Sequence, residues 1–194
     1  MNKLPALSLF ALSLSALSGI ASAAPVDYKI DPDHTYPSFE ADHMGVSIWR
    51  GKLNKSAGNV TLDKDKGTGT VEVTVDLSTI DFGHQAMNTW AKGNDFFDIE
   101  KNPTAVYKGK LEGPAGGAPT QVTGNLTLHG VTKPVTLKVN SFKCIPHPLF
   151  KRELCGADLS ATFNRDEFGL DAGKSFGFRM DVALRIQVEA LAVK

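Results

Sequence analysis

Apolar and polar residues alternate along most of this chain, a pattern typical of β-strands that bury one face. The alternation is longest in residues 176–192, where every even position is apolar and several odd positions are charged. The same period of two recurs in five earlier segments, 71–77, 105–111, 122–128, 135–139 and 159–163. Each of these segments therefore predicts a strand with one apolar and one wet face.

Turn-forming residues separate the predicted strands, in the segments 63–69, 112–120 and 129–134. Strands in series with short connections predict an antiparallel sheet. We count about eight to ten strands, which is enough for a sheet to curl closed and remove its exposed edges. The alternation therefore predicts an all-β fold.

One segment, residues 84–103, has helical rather than alternating spacing. Asn94 or Asp95 is a candidate N-cap for a second short helix, and Pro103 ends the segment. Its apolar residues are Met87, Trp90, Ala91, Phe96, Phe97 and Ile99. We expect a helical excursion that either covers one end of a barrel or fills the core there, and the spacing leaves both interpretations open.

The stretch PSFEADHM holds polar residues that a catalytic or metal site would use. In a strand, Phe39, Ala41 and His43 share one face, whereas Glu40 and Asp42 share the opposite, wet face. Asp42 and His43 therefore cannot act as a local acid–base pair. On an apolar face, His43 is expected to be a hydrogen-bonded interior histidine rather than a ligand.

The first 23 residues predict a cleaved signal peptide. Lys3 precedes an apolar run, residues 4–20, and Ala21-Ser22-Ala23 forms a small-x-small cleavage site. The run is shorter and more polar than the roughly 20 apolar residues of a transmembrane helix. We therefore expect one exported domain, residues 24–194, located in the periplasm.

The balance of charges gives no support for two classes of partner. The chain has 21 basic and 21 acidic side chains, and removal of Lys3 leaves 21 − 1 = 20 basic residues, a net charge near −1. This balance gives no electrostatic reason to expect binding to nucleic acid or to an anionic membrane surface.

The two cysteines, Cys144 and Cys155, are expected to form a disulfide in an oxidising compartment. A redox or metal pair is the alternative, although the spacing is not CxxC. The five histidines show no metal-ligand spacing, and no serine is set in GxSxG. The sequence therefore predicts no catalytic residue, no metal site and no cofactor.

Four segments stand in a distinctive order along the chain. They are YKIDPDHTYPSFEADHMGVSIWRGKL, NDFFDIEKNPTAVYKGKL, VTGNLTLHGVTKPVTLKV and NRDEFGL. Together they resemble the YceI-like proteins, bacterial periplasmic proteins also described as polyisoprenoid-binding or lipocalin-like, over residues 26–192. The resemblance implies an elongated eight-stranded antiparallel barrel, with a long apolar chain in its axial tunnel and the short helical excursion closing one end. It also implies a possible homodimer, and it supplies no catalytic residue.

Resemblance and alternation together predict which side chains contact such a lipid. Residues 176–192, at about 3.3 Å per residue, would extend roughly 55 Å and accommodate a polyprenyl chain. The expected lipid contacts are Phe39, Ala41, His43, Trp90, Phe96, Phe97, Phe176, Phe178, Met180, Val182, Leu184 and Ile186.

The predicted function is periplasmic binding, as carrier or store, of a long isoprenoid or acyl lipid such as an isoprenoid quinone. We expect no stable membrane insertion. Two other functions remain open at this stage. One is an enzyme that acts on such a lipid with His43 as general base in the tunnel, and the other is a stress-protective structural module whose lipid is incidental.

Overall fold

The computed structural model describes residues 24–193, so the predicted signal peptide, residues 1–23, lies outside the described residues. The described chain is built mainly of strands with one short α-helix. The elements are β1 Val26–Ile30, β2 Tyr36–His43, β3 Ser47–Leu53, β4 Ser56–Asp63, β5 Thr68–Asp76, β6 Ile80–Asp81, α1 Gln85–Lys92, β7 Thr104–Glu112, β8 Gln121–Leu128, β9 Val131–Pro146, β10 Glu153–Asn164 and β11 Asp181–Ala192.

The strands form one antiparallel sheet that closes on itself. From β1 the neighbours follow in the order β4, β5, β7, β8, β9, β10 and β11, and β11 pairs again with β1. The remaining strands, β2, β3 and β6, lengthen the wall of this barrel and do not add to its eight strands. β2 pairs with β11 after β1 ends, β3 pairs with β2, and β6 pairs with β3. The fold is therefore a closed eight-stranded antiparallel barrel, and the predicted fold class is confirmed.

The break between β1 and β2 has a local cause in the sequence. Pro32 has no backbone N–H to donate to a ladder. The Asp31 carboxylate accepts a hydrogen bond of 3.0 Å from the backbone N–H of Asp33, which forms a turn. The chain then re-enters the sheet at Tyr36, beside Gln187 of β11.

The two ends of the barrel differ in their connections. We call one end the hairpin end, where the turns 64–67 and 147–152 and the loop 113–120 join adjacent strands. We call the other the helix end, where α1, residues 93–103 and residues 165–180 lie between strands. The long connections are therefore concentrated at the helix end.

The helical excursion is shorter than the sequence predicts. α1 ends at Lys92, and residues 94–101 form successive turns instead of a second helix. The Gly93 carbonyl accepts hydrogen bonds from the backbone N–H groups of Phe96 and Asp98, at 3.2 and 2.9 Å. These tight turns use the N–H groups that a second helix begun at Asn94 or Asp95 would need, so that prediction was wrong.

Within residues 24–193, no helix has the length and apolar character required to cross a membrane.

Candidate functional site

The barrel encloses an apolar cavity of about 310 Å³, within the range of ligand-binding cavities. Its lining extends from Leu62 and Leu111 at the hairpin end to Trp90 and Phe178 at the helix end. β11 is 12 residues long, about 40 Å along the strand and about 30 Å along the axis of a tilted barrel. The cavity is therefore elongated along the barrel axis.

β11 supplies one continuous side of this cavity. Val182, Leu184 and Ile186 line it, whereas Arg185 and Gln187 on the opposite face of the strand are exposed. Val188 and Ala190 continue the same inward face toward the hairpin end. The alternation therefore predicted the inward face correctly from Val182 onward.

Before Val182 the alternation fails. Phe176 lies in a 3-10 helix, Lys174–Phe176, and is 72% exposed. Gly173 and Gly177 flank that helix at φ values of 84° and 83°, a conformation that breaks the extended backbone and its period of two. Met180 is buried, but it lies outside the cavity lining, ahead of the first residue of β11. The predicted inward position of Phe176 was therefore wrong, and Met180 is buried as predicted but does not line the cavity. The predicted strand length of roughly 55 Å was also wrong. Phe178 does line the cavity, although no strand holds it.

His43 packs at the helix end, outside the cavity lining. Its ring stacks on Trp49 at 4.2 Å between centroids and meets the edge of Phe178 at 4.8 Å. Phe39 and Ala41, which precede it on the same face of β2, do line the cavity. His43 thus supports the aromatic lining from behind, and this position disfavours a general base inside the tunnel.

Asp42 is not on a wet face as the alternation suggested. Its carboxylate accepts hydrogen bonds from the Arg179 guanidinium at 3.0 Å, from the Arg179 backbone N–H at 3.2 Å and from the Gly45 backbone N–H. The Arg179 backbone N–H, with the other donors, lowers the pKa of this carboxyl. The prediction was wrong because residues 165–180 fold back over the end of β2.

Three aromatic side chains of the excursion line the cavity at the helix end. Trp90 stacks on Phe96 at 4.9 Å, and Phe96 contacts Phe97 at 4.7 Å. Phe97 is buried, whereas Trp90 is 39% exposed. The excursion therefore both covers the end of the barrel and contributes to its core, so each of the two interpretations holds for part of it.

The polar atoms of the wall are paired with protein partners. The Tyr28 hydroxyl donates to Glu153 at 2.5 Å, and the Tyr107 hydroxyl lies 2.8 Å from the Val135 carbonyl oxygen. The Thr35 hydroxyl accepts a hydrogen bond from the Glu189 backbone N–H at 3.1 Å. Burial raises the pKa of Tyr107 to about 12, so its hydroxyl stays neutral. A ligand in contact with the wall near these residues therefore meets mainly C–H groups.

Two charged residues, Asp42 and Arg165, are among the lining residues that the structure describes. Sequence reasoning missed Arg165. A signal was present, since Leu159 and Phe163 of β10 line the cavity and Arg165 continues their phase by two residues. Arg165 lies just beyond the predicted strand, in the segment NRDEFGL.

The disulfide between Cys144 and Cys155 is formed, and it joins directly paired residues of β9 and β10. This prediction is confirmed. With both sulfurs in the bridge, the nearby Glu153 has no thiolates beside it to complete a metal site. Asp31, His34 and Glu189 form a second cluster of potential ligand residues. In this cluster the His34 imidazole pairs with the Asp31 carboxylate at 2.8 Å.

Comparison with known proteins identifies a family over almost the whole barrel. The YceI-like domain matches residues 28–190. A UPF0312 protein of Pseudomonas aeruginosa is 35% identical over 190 residues, covering 95% of this chain and 97% of that protein. A UPF0312 protein of Yersinia pestis is 37% identical over 135 residues, covering 68% of this chain and 70% of that protein.

Solved structures share the fold at lower identity. BcnA of Burkholderia cenocepacia has a TM-score of 0.66 at 23% identity, over 82% of this chain and 98% of that one. A polyisoprenoid binding domain from Saccharophagus degradans, implicated in plant cell wall breakdown, has a TM-score of 0.64 at 15% identity, over 87% and 99%. At these identities the similarity establishes the architecture of the barrel.

Proposed function

This chain belongs to the YceI-like family, and from that membership and its cavity we propose that it binds one long isoprenoid lipid as a periplasmic carrier or store. Polyprenyl lipids and isoprenoid quinones are the candidate ligands. The observation that carries the proposal is the elongated cavity, whose wall is apolar and whose tyrosine and threonine hydroxyls are already paired. A related barrel described as a polyisoprenoid binding domain supports it.

The hydrophobic effect provides enough free energy for such binding. Each buried CH₂ group contributes about 0.8 kcal/mol, so ten of them contribute about 8 kcal/mol before costs. Ordering the chain subtracts from this gross value. Because the gross value rises with every carbon buried, we expect a long-chain lipid to remain bound through purification.

The first experiment is mass spectrometry of an organic extract from natively purified protein. We expect one class of long-chain lipid near one molecule per chain. A protein that is folded and monodisperse but yields no stoichiometric lipid, and that takes up none when incubated with polyprenyl lipids, would contradict the proposal.

A pair of variants on β11 tests the cavity itself. Leu184→Asp places a carboxylate in the apolar lining, where an unpaired charge is costly, and it should empty the barrel. Gln187→Lys, on the exposed face of the same strand, should keep its lipid. Equal lipid content in both folded variants would show that the lipid does not occupy this cavity.

One prediction and one observation support the proposed compartment. A signal peptide at residues 1–23, as the sequence predicts, would direct export. The Cys144–Cys155 bridge is typical of oxidising compartments. Fractionation of cells that express the full chain should place the processed protein, cleaved after Ala23, in the periplasm. Recovery of the uncleaved chain from the cytoplasm would contradict this location.

The helix end is the exit that we propose for the lipid. Trp90 and Phe96 stack over the cavity there, and Trp90 is partly exposed. At the hairpin end, Tyr28, Leu62 and Cys155 line the cavity and are buried. Release therefore requires the excursion of residues 84–103 to move.

A further inference from the structure

The hairpin of β9 and β10 presents apolar side chains to solvent at its tip. We call residues 145–152 the hairpin tip. Leu149 is 79% exposed, Phe150 is 55% exposed and Ile145 is 40% exposed. None of the three lines the cavity. Exposed apolar side chains that stand together, unlike single ones, mark contact surfaces. The hairpin tip is therefore a candidate contact surface separate from the lipid cavity.

Contacts within the hairpin tip hold these side chains in place. The disulfide joins β9 to β10 next to the tip. The His147 Nδ1 accepts hydrogen bonds from the backbone N–H groups of Leu149 and Phe150, at 3.1 and 3.2 Å. The His147 ring stacks on Phe150 at 4.5 Å between centroids, and the Arg152 guanidinium carbon lies 5.8 Å from the centre of the Phe150 ring. A surface ordered in advance loses less entropy when it binds a partner.

The charge of this hairpin is positive, although the whole chain is balanced. Residues 141–152 contain three basic residues, Lys143, Lys151 and Arg152, and no acidic residue. Lys143 and Lys151 are exposed and form no ion pair within residues 24–193. The first acidic residue after the tip, Glu153, is itself paired with Lys64 at 2.7 Å. The balanced net charge thus conceals a positive surface at the hairpin end.

The helix end also exposes apolar side chains, but its charges differ. Val46 is 82% exposed and Phe176 is 72% exposed. Two cations of residues 165–180, Arg179 and Lys174, form ion pairs with carboxylates. The apolar side chains of that end therefore stand near neutralised cations, whereas those of the hairpin tip stand near unpaired ones.

We propose that the hairpin tip docks on the surface of an anionic lipid bilayer. Leu149 and Phe150 enter the head-group layer, and the neighbouring cations contact the lipid phosphates. An apolar apex with cationic flanks matches the order of layers in such a bilayer, and interfacial segments of proteins combine the same two features. The contact is peripheral, because the tip is a single turn between two strands. The helix end then points away from this bilayer.

Vesicle sedimentation of natively purified protein tests the docking. One set of vesicles consists of phosphatidylcholine alone, and the other contains equal amounts of phosphatidylcholine and phosphatidylglycerol. We expect roughly 10- to 100-fold tighter binding to the mixed vesicles, as attraction of three basic residues to an anionic surface provides. Added salt should reduce this preference, since it screens exposed charges.

Two double variants assign the binding to the hairpin tip. Leu149→Ser combined with Phe150→Ser should weaken binding to the mixed vesicles at least 10-fold, because it removes the apolar side chains that enter the interface. Lys143→Gln combined with Lys151→Gln should abolish the preference for mixed vesicles. All four side chains are exposed, so we expect both variants to fold.

Val46→Ser combined with Phe176→Ser is the matched control. It removes two exposed apolar side chains at the helix end and should bind vesicles as wild-type protein does. Loss of binding in this control, with binding retained in the Leu149 and Phe150 variant, would overturn the inference and place the contact at the helix end. Wild-type protein that binds neither set of vesicles, or both equally well, would also overturn it. Because the test does not measure the lipid content of the barrel, its failure would leave the proposed function intact.

Discussion

The two ends of the barrel close it in different ways. At the hairpin end, Tyr28 is 1% exposed and hydrogen-bonded to Glu153, which also pairs with Lys64 at 2.7 Å. The disulfide joins β9 to β10 at the same end. At the helix end, by contrast, Trp90 lines the cavity and is partly exposed, and the connections consist of α1, turns and 3-10 helices.

This difference separates a regular wall from an irregular end. Along the wall, extended strands with paired polar groups surround an apolar cavity. The charged lining residue Arg165 lies among irregular segments at the helix end. Function carried on loops that a rigid framework positions is a common arrangement.

The largest effect that we predict tests whether the helix end is a structural part of the barrel or a loose cover. Phe168 is 1% exposed there and meets the edge of Phe163 at 5.4 Å. Phe168→Ala should lower the free energy of unfolding by about 3–5 kcal/mol, because it leaves a cavity in a packed core. Urea unfolding followed by circular dichroism measures this change.

Phe150→Ala is the control for that measurement, since Phe150 is exposed on the turn of the hairpin end. It should change the free energy of unfolding by less than about 0.5 kcal/mol. A small loss from Phe168→Ala, similar to that of the control, would show that the helix end contributes little to folding.

The next effect concerns the disulfide at the hairpin end. Cys144→Ser combined with Cys155→Ser should cost about 3 kcal/mol, because the bridge closes a short loop and restricts the unfolded chain. Chemical denaturation of the variant, and of wild-type protein under reducing conditions, should give the same loss. If both changes left the unfolding midpoint in place, the hairpin end would not owe its stability to the bridge.

The smallest effect is a pH dependence that both ends share. The Lys64 ammonium and the Tyr28 hydroxyl lower the pKa of Glu153 from its ordinary 4.5, and the Arg179 and Gly45 contacts lower that of Asp42 from 3.8. Because both pKa values are lower in the folded protein, these contacts stabilise fully above about pH 4.5 and lose their effect as the pH falls through the folded values.

Thermal unfolding between pH 7 and pH 2 checks this expectation. Glu153→Gln should flatten part of the acid dependence at the hairpin end, and Asp42→Asn should flatten part of it at the helix end. The contribution of the partly exposed Glu153 pair should be below about 1 kcal/mol. An acid profile that neither variant alters would show that other carboxylates determine the loss of stability.

The contrast between the ends also decides what could be predicted from the sequence. Within the wall, a period of two identified the inward residues of β11 from Val182 onward, because every residue there is extended. At the helix end, the glycines at 173 and 177 break that period, so Phe176 is exposed and Met180 is buried outside the cavity lining. Periodicity describes one strand at a time and carries no information on which loop folds over it.

Asp42 and Arg165 show the same limit from two sides. Asp42 has the phase of a solvent-facing residue, but Arg179, far along the chain, covers it. Arg165 has the phase of an inward residue, but a strand pattern gives no reason to extend the strand face to a charged side chain. Both residues depend on contacts between distant segments, and these contacts require the folded chain.

The pairing of β1 with β11 has a consequence for how the barrel folds. Ile30 pairs with Ala190, so the seam that closes the ring joins the first and last strands of the described chain. Adjacent strands from β7 to β11 can pair in order as hairpins, whereas this seam is a contact of very long range and is expected to form late. Until it forms, β1 and β11 expose unpaired edges and the apolar interior, the condition in which β-proteins aggregate.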